Sequence, residues 1–529
     1  MNIYFGSVTG TAENLARETA KLAKSRGHKV AVSELDDLSM DKLESLDDLV
    51  VVIATYGEGE MPFNAEFFWD ELNASEPDLG GLTYAVLGLG DTAYEQFCQA
   101  GKDIDARLEE LGARRRLDRV DCDLDYETAA RRWMEDAVPT LTAEANVVVE
   151  PKPAEPEPEE EEPWSRRNPF PATVLESYRL SGEQSTKLVN HLVLDIADSG
   201  FTYEPGDSIA IVPRNDPGLV AALIDRFDLT ADSPVEGYDE SLGTLLETRF
   251  EISTPCEKLL RAVASAIKDP ELKQAVADGH KAMEAFRWNK DLLDILNIDE
   301  RLVAPPEVVF SLLQPLQHRA FSIASSQIVN PDKVHLTVAS VRWTYMDREH
   351  RGTCSTMLTD RVKPGAKLDT FMVPNKRFRL PEDGSTPVIM IGPGTGIAPF
   401  MGFIEAREAS KATGVSWLFF GDRERSQDFI YEEKLVAYRE SGTLTRLDCA
   451  FSRDQAEKVY VQDVLRQNGA DVFAWLERGA WLYICGDAKR MAPDVEVALQ
   501  EIFAENGQAK PENYLSELRR AGRYHKDVY

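Results

Sequence analysis

Cysteine is scarce and scattered in this chain: six residues in 529, at positions 98, 122, 256, 354, 449 and 485, with no Cys-x-x-Cys pair. That spacing excludes a zinc knuckle and a disulfide framework and leaves reduced thiols as the expectation. Positive charge is short as well, since 59 Lys and Arg face 91 Asp and Glu, a formal charge of −32. Such a chain repels phosphate backbones and anionic lipid, so no nucleic acid partner is expected. Nowhere does an apolar run approach the roughly 20 residues that cross a bilayer. The opening Met1-Asn2-Ile3-Tyr4-Phe5-Gly6 enters a strand-like run, with neither the basic nor the apolar stretch of a signal peptide. No membrane anchor is expected, and the cytoplasm is the default location. What the chain has is length, enough for about three to five domains at roughly 100–200 residues each.

One boundary is written in composition. Residues 150–163 alternate proline with acid and end in a dense acidic run, a stretch too stiff and self-repelling to bury a core. We read 147–167 as a linker. Residues 1–146 hold 14 Lys and Arg against 30 Asp and Glu, a net −16 and half the total. Within them, apolar segments at 2–5, 49–54 and 83–87 alternate with amphipathic helices, the first over about 12–26, which predicts a doubly wound parallel sheet. After the linker, 172–180, 191–196 and 208–212 predict strands of a β-barrel. From about 216 to 314 apolar residues recur at helical spacing, as in Leu259, Leu260, Val263, Ala264 and Ile267, and predict a helical insertion. Strand signals resume over 334–342, and from 387 strands at 388–391, 417–420, 445–451 and 481–485 alternate with helices again. The expected architecture is α/β multidomain: a doubly wound domain over 1–146, a barrel with its insertion over 168–383, and a second doubly wound domain over 384–529.

Chemistry collects at strand ends. Ser7-Val8-Thr9-Gly10-Thr11-Ala12 lies where the first strand turns into the first helix, and its hydroxyls and backbone N–H groups suit a phosphate. No Lys-Ser/Thr ending follows, which argues against a Walker-type hydrolase. Two more loops, Ala54-Thr55-Tyr56-Gly57 and Leu89-Gly90-Asp91 through Tyr94, Phe97 and Cys98, follow later strands and share the crevice edge of an open sheet. Tyr56 and Tyr94 can flank a flat ring while glycines let the backbone reach its polar edge. These three loops resemble the FMN sites of flavodoxin-like domains, in wording close to that of the diflavin reductases. The resemblance places the FMN phosphate on residues 7–12, its ring between Tyr56 and Tyr94, and Asp121 near the flavin edge.

Further on, His318-Arg319-Ala320-Phe321-Ser322 combines a cation for a diphosphate, an aromatic face and a hydroxyl, with Arg319 and Phe321 on one side of a strand. It resembles the Arg-x-Tyr-Ser FAD signature of the ferredoxin-reductase superfamily, with Ala320 and Phe321 departing from the usual aromatics. Its partner motif is Gly352-Thr353-Cys354-Ser355, and the resemblance adds Thr337, Val338, Ala339 and Trp343 to the FAD contacts. Ile391 to Phe400 carries a Pro-Gly-Thr-Gly-Ile-Ala-Pro run, with Gly394, Thr395 and Gly396 at its turn, similar to the nicotinamide-binding half of that superfamily. Ser452, Arg453, Lys458, Val459, Tyr460 and Gln462 gather two cations and an aromatic in a strongly acidic chain. This suits the 2′-phosphate of NADPH rather than NADH. Asp494 falls on the face of a following helix. Cys485 ends another strand and, in the family, lies by the nicotinamide. The chain stops on Tyr529, an aromatic able to cover FAD and swing aside. Ser322, Cys485 and Asp527 match the family trio that handles hydride transfer.

Over nearly its whole length the chain is similar to a diflavin reductase: a flavodoxin-like domain, then a ferredoxin-reductase-like module. Nearest in wording are the flavoprotein components of NADPH–sulfite reductases. The resemblance implies the cofactors FMN, FAD and NADPH, electron flow from NADPH through FAD to FMN, and a haem or iron–sulfur acceptor protein such as a sulfite reductase hemoprotein. An orphan cytosolic reductase serving a haem monooxygenase, or a non-enzymatic flavin sensor, stays open at this stage.

Overall fold

The structure, a computed structural model, describes the chain apart from residues 8–9, 57–58, 93–95, 139–163, 167, 300, 303 and 509, so the expected linker lies almost wholly outside the described residues. Two compact units are present, residues 1–160 with 217–316, and residues 161–216 with 317–529. Among the described residues no helix is long and apolar enough to cross a membrane.

The first unit is built on Asp48–Ala54, in which Leu49 to Ile53 are all fully buried. A β-branched run covered on both faces belongs at the centre of a parallel sheet. It pairs in parallel with Asn2–Gly6 on one side and Thr83–Leu89 on the other. Ala31–Glu34 extends one edge, while Arg114–Arg115 and Val120–Cys122 both pair with Thr83–Leu89. In chain numbering the order is 2-1-3-4-5, reversing between Asn2–Gly6 and Asp48–Ala54. A doubly wound sheet opens its ligand crevice at that reversal. Helix Thr11–Ser25 covers one face through Ala12, Leu15, Ala16, Thr19, Ala20 and Ala23, three and four residues apart. In the same unit, residues 217–310 form seven helices among the described residues around Leu245, Leu260, Leu292, Ile295 and Phe310. This is the expected insertion. Asp291 and Asp294 close a capping box at one helix start, each carboxylate accepting the other's backbone N–H.

In the second unit six antiparallel strands lie in the spatial order Arg319–Ser322, Ser208–Ile211, Lys367–Val373, Phe170–Arg179, Val189–Asp195 and Lys333–Ala339. A bridge between Ile323 and Leu336 joins the two outer strands, so the sheet closes into the expected barrel around Leu192, Leu194, Ile209 and Val338. The strand expected over 334–342 is two strands. Lys333–Ala339 stays in the barrel, whereas Arg342–Tyr345 pairs with Arg348–Arg351 as a hairpin. Between them the Val341 N–H leaves the ladder for the Ser355 hydroxyl at 3.2 Å.

A second parallel sheet follows in the order Arg446–Phe451, Ser416–Asp422, Val388–Ile391, Trp481–Gly486 and Tyr524–Val528. The last strand lies where the sequence predicted none. It pairs with Trp481–Gly486 from Leu482–Tyr524 to Gly486–Val528, and His525 stacks on Trp481 and Tyr483, each with centroids 4.9 Å apart. Those stacking partners are distant in sequence, which is why a short polar stretch gave no strand signal.

Barrel and sheet are clasped within this unit. The loop after Phe170–Arg179 reaches the end of Ser416–Asp422: the Gly182 N–H donates to the Gln427 carbonyl at 2.6 Å, Ser185 bonds Asp428, and Lys187 pairs with Asp422. Deeper in, His191 bonds the Tyr431 hydroxyl at 2.8 Å and His335 at 3.2 Å, and Thr337 bonds the same hydroxyl at 2.7 Å. Burial, foremost, and neighbouring positive charge hold both imidazoles below their usual range. An unfolded chain therefore takes up protons here as pH falls below about 6.5, and stability is lost in that direction at no more than about 1.4 kcal/mol per proton per pH unit. Denaturant midpoints of the full chain should fall from pH 7 to pH 5. His191→Gln should flatten that slope by up to one proton, and an unchanged slope would count against the buried neutral pair.

Candidate functional site

At the first crevice, helix Thr11–Ser25 starts from Gly10 in the left-handed region, φ 80°, a residue with no side chain of its own to cap the helix. The Ser7 hydroxyl beside it is buried without a partner among the described residues. A buried unsatisfied hydroxyl costs about 1–3 kcal/mol. An acceptor-rich phosphate at this point satisfies both the hydroxyl and the helix start, so the residues fit FMN. The Ser7 N–H is already taken by the Asn64 side chain at 2.7 Å, a buried polar residue that the sequence motif did not single out. Ala12 is fully buried and can offer only its backbone.

The second and third loops are braced against each other. The Thr55 N–H donates to the Leu89 carbonyl at 2.8 Å, and the Thr55 hydroxyl accepts the Ala100 N–H at 3.3 Å. Tyr56 is half-buried and bridges to Glu60, close after Ala54 at the strand end. Leu89 turns into the core, while the Gly90 N–H donates to the Cys122 carbonyl at 2.9 Å. Phe97 is half-buried, with the Lys102 ammonium 5.5 Å from its ring centroid and donating to its carbonyl at 2.5 Å. Cys98 is fully buried in the left-handed region at φ 54°, and burial pushes its thiol up, so it packs and does not titrate. Val8, Thr9, Gly57 and Tyr94 lie outside the described residues.

One expectation is revised here. The Asp121 carboxylate is taken by Arg119 at 2.8 Å, and a Cβ added at Gly88 would lie 3.1 Å from it. It serves the packing of the sheet edge and is not a free acid at the crevice.

In the barrel, strand pairing sets Phe321 opposite Ile209, with Met372 next across, and its ring packs on the barrel core. Paired residues share a face, so Phe321 presents only part of its ring to a ligand. Arg319 and Ala320 are exposed at the strand start. Trp343 is half-buried on the hairpin and stacks on His350 at 5.4 Å and 20°. Thr337, Val338 and Cys354 are revised: Thr337 is committed to Tyr431, and Val338 and Cys354 point into the core. Their backbones alone remain for FAD, together with Ala339, Gly352, Thr353 and Ser355. An exposed guanidinium, backbone N–H groups and an indole face suit a diphosphate and a ring system, so the donor set fits FAD.

The closing sheet reverses between Val388–Ile391 and Trp481–Gly486. A cavity of about 280 Å³ opens there, lined by Lys187, Ala339, Pro393, Gly394, Thr395, Gly486, Asp487 and Tyr529. A Cβ at Gly396 would sit 2.1 Å from the Cys485 carbonyl, so glycine alone lets the two strand ends close. Lys187 comes from a barrel loop and has no local motif. Only the tertiary clasp reveals it.

At the adjoining strand end, the Ser452 N–H donates to the Asp422 carbonyl at 2.9 Å and the Arg453 N–H to the Arg423 carbonyl at 2.8 Å. Arg453 and Lys458 are exposed, and neither has an ion-pair partner among the described residues. Tyr460 is 45% exposed beside them, Val459 packs on the core, and Gln462 donates to Asp494 at 3.2 Å. Two unpaired cations beside an open ring face fit a 2′-phosphorylated adenosine.

Ser322, Cys485 and Asp527 do come together. The Ser322 hydroxyl and the Cys485 thiol both face Asp527 Oδ2, at 2.8 and 3.8 Å. Burial pushes the Asp527 carboxyl up against the opposing pull of those two bonds, and it pushes the Cys485 thiol well above its usual range. Tyr529 is 62% exposed, with its hydroxyl 3.0 Å from that of Thr395. Its backbone is fixed at both ends, N–H to the Gly486 carbonyl at 3.0 Å and carbonyl to the Ala488 N–H at 3.1 Å. The swinging terminus is therefore restricted to rotation of the ring on its own side-chain bonds.

The fold and its three crevices define a flavoprotein oxidoreductase with two flavin sites and a dinucleotide site. Family comparison agrees: the flavodoxin family matches residues 3–133, the FAD binding domain residues 162–357 and the oxidoreductase NAD-binding domain residues 390–496. Along its full length the chain is 40% identical to the sulfite reductase [NADPH] flavoprotein alpha-component of Bacillus subtilis, covering 89% of that protein. It is 38% identical to the Vibrio parahaemolyticus protein of the same name and 39% identical to that of Escherichia coli, covering 86% and 90% of them. The chain belongs to the family of sulfite reductase [NADPH] flavoprotein alpha-components. It is an NADPH-dependent flavoprotein oxidoreductase in which electrons run from NADPH through FAD to FMN.

Proposed function

We propose that this protein delivers those electrons to a sulfite reductase hemoprotein in the cytoplasm. The observation that carries this reading is similarity over the whole chain to proteins named for that role, in a sequence whose first 146 residues hold a net charge of −16. FMN is assigned to the module over 1–146, held at the Ser7 hydroxyl and the Thr11–Ser25 helix start. FAD is assigned to the barrel over 168–383 and NADPH to residues 384–529. Bound flavins supply the redox chemistry. The chain supplies geometry and charge. Arg453 and Lys458 hold the 2′-phosphate while Tyr460 faces the adenine. Asp527, Ser322 and Cys485 set polarity at the cleft where nicotinamide meets FAD, and the Tyr529 ring covers that cleft until nicotinamide enters.

NADPH-driven reduction of sulfite to sulfide by the purified chain mixed with a sulfite reductase hemoprotein is the direct test. Failure there, with brisk reduction of a haem monooxygenase, would move the partner to the other reading. The acidic module implies steering toward a basic acceptor surface. Screening shortens from about 10 Å at 0.1 M salt to about 3 Å at 1 M. The bimolecular rate with the hemoprotein should fall about tenfold over that range, and a salt-independent rate would rule steering out.

A further inference from the structure

Gln314 joins the helical insertion to the third loop of the flavodoxin sheet. Its side-chain amide donates to Asp91 Oδ1 at 2.6 Å, across 223 residues of sequence. The segment presenting it is braced on both sides. The Glu251 N–H donates to the Gln314 carbonyl at 2.9 Å and the Leu316 N–H to the Arg249 carbonyl at 2.8 Å, with a bridge between Phe250 and Pro315. Phe250 in turn stacks on the buried Phe310 at 4.5 Å. The loop receiving it is held on both sides of Asp91, by the Gly90 bond to Cys122 and by Thr92, whose N–H and hydroxyl donate to Asp123 at 3.1 and 2.5 Å. Between Lys42 and Lys102 the sequence has no Lys or Arg, so positive charge close to this loop in sequence is sparse. Eight residues after Gln314 the chain reaches Ser322 in the FAD strand.

We propose that Gln314 is a positioning residue for electron transfer, a latch that holds the third FMN loop against the insertion while electrons arrive and lets go when they leave for a protein acceptor. The inference rests on the third loop being part of the FMN site. An amide–carboxylate bond between half-buried side chains suits the task, because it orients the loop yet opens without breaking a core. Two electrons from one NADPH enter, and they leave one at a time to reduce two ferric haems of an outside protein.

Two substitutions in the full-length holoenzyme push the latch in opposite directions. Gln314→Glu sets a carboxylate against Asp91 and should open it. Gln314→Lys should close it with an ion pair. In stopped flow, Gln314→Glu should slow NADPH-driven FMN reduction about fivefold while sparing electron delivery from pre-reduced enzyme to cytochrome c. Gln314→Lys should spare the first and slow the second about fivefold. Amide hydrogen exchange should rise in the glutamate variant and fall in the lysine variant at residues 89–92 and 249–251. Both variants behaving as wild type, or both slowing the same step, would overturn the latch. Exchange in wild-type apoprotein with and without added FMN separates the two readings. Failure of FMN to protect residues 89–92 would remove the site assignment itself, and the latch with it, whereas protection with no difference between the variants would remove the latch alone.

Discussion

Replacing Arg453 and Lys458 together by alanine should raise the KM for NADPH about 100-fold and leave the KM for NADH within about twofold. Both side chains stand exposed at the end of strand Arg446–Phe451 without an ion-pair partner among the described residues, so they are available to a ligand. A hydrogen bond to a charged group is worth about 1.5–3 kcal/mol, with exposure pulling each toward or below the low end. Two of them come to about 2.7 kcal/mol, or two decades at 1.36 kcal/mol each. NADH lacks the 2′-phosphate and should be indifferent, since the glycine turn, the cavity and the Tyr460 ring are untouched. Steady-state kinetics with the two coenzymes decide it, and equal losses with both would remove these residues from the 2′-phosphate site.

The second large effect is expected at Asp527. Asp527→Asn should slow NADPH-driven flavin reduction about 100-fold with little change in NADPH affinity. The carboxylate sits half-buried at the cleft, fixed by Ser322 at 2.8 Å, in a position to stabilise positive charge that grows on the nicotinamide ring as hydride leaves. Preorganised charge of this kind is worth about two to three decades in rate. Burial raises the carboxyl above the usual aspartate range, so it gains its proton at a higher pH than a free carboxyl does. The rate should therefore fall as pH drops through that raised value, and the asparagine variant should lose this acid limb. Stopped-flow reduction against pH reads both quantities. A variant with the wild-type rate and the wild-type acid limb would exclude an electrostatic role.

Much of the organisation is legible in the sequence alone, and for physical reasons. The run Leu49 to Ile53 had to be a central strand because nothing else buries five consecutive apolar, mostly β-branched residues. Strand-turn-helix junctions at Ser7 and at Gly394 were expected as ligand edges, because a glycine turn into a helix start presents backbone N–H groups. At Asp121, Thr337, Val338 and Cys354, expected at the flavins from the family resemblance and its motifs, Arg119, a tyrosine hydroxyl or the barrel core claimed the side chain. A motif fixes where the backbone goes and leaves open which neighbour a side chain meets.

By itself, then, the sequence determined the alternation of strands and helices, the order of the three nucleotide crevices and the concentration of acid in the first module, since periodicity, glycine turns and charge are local properties. Tertiary structure alone decided three further matters. It folded the polar terminus into a strand by stacking His525 on Trp481 and Tyr483, and so fixed Tyr529 by its backbone. It brought Lys187 from a barrel loop to the dinucleotide cavity. It also set Gln314 on Asp91. Each depends on partners from 41 to more than 200 residues apart, and no local pattern records a pairing that only the closed fold creates.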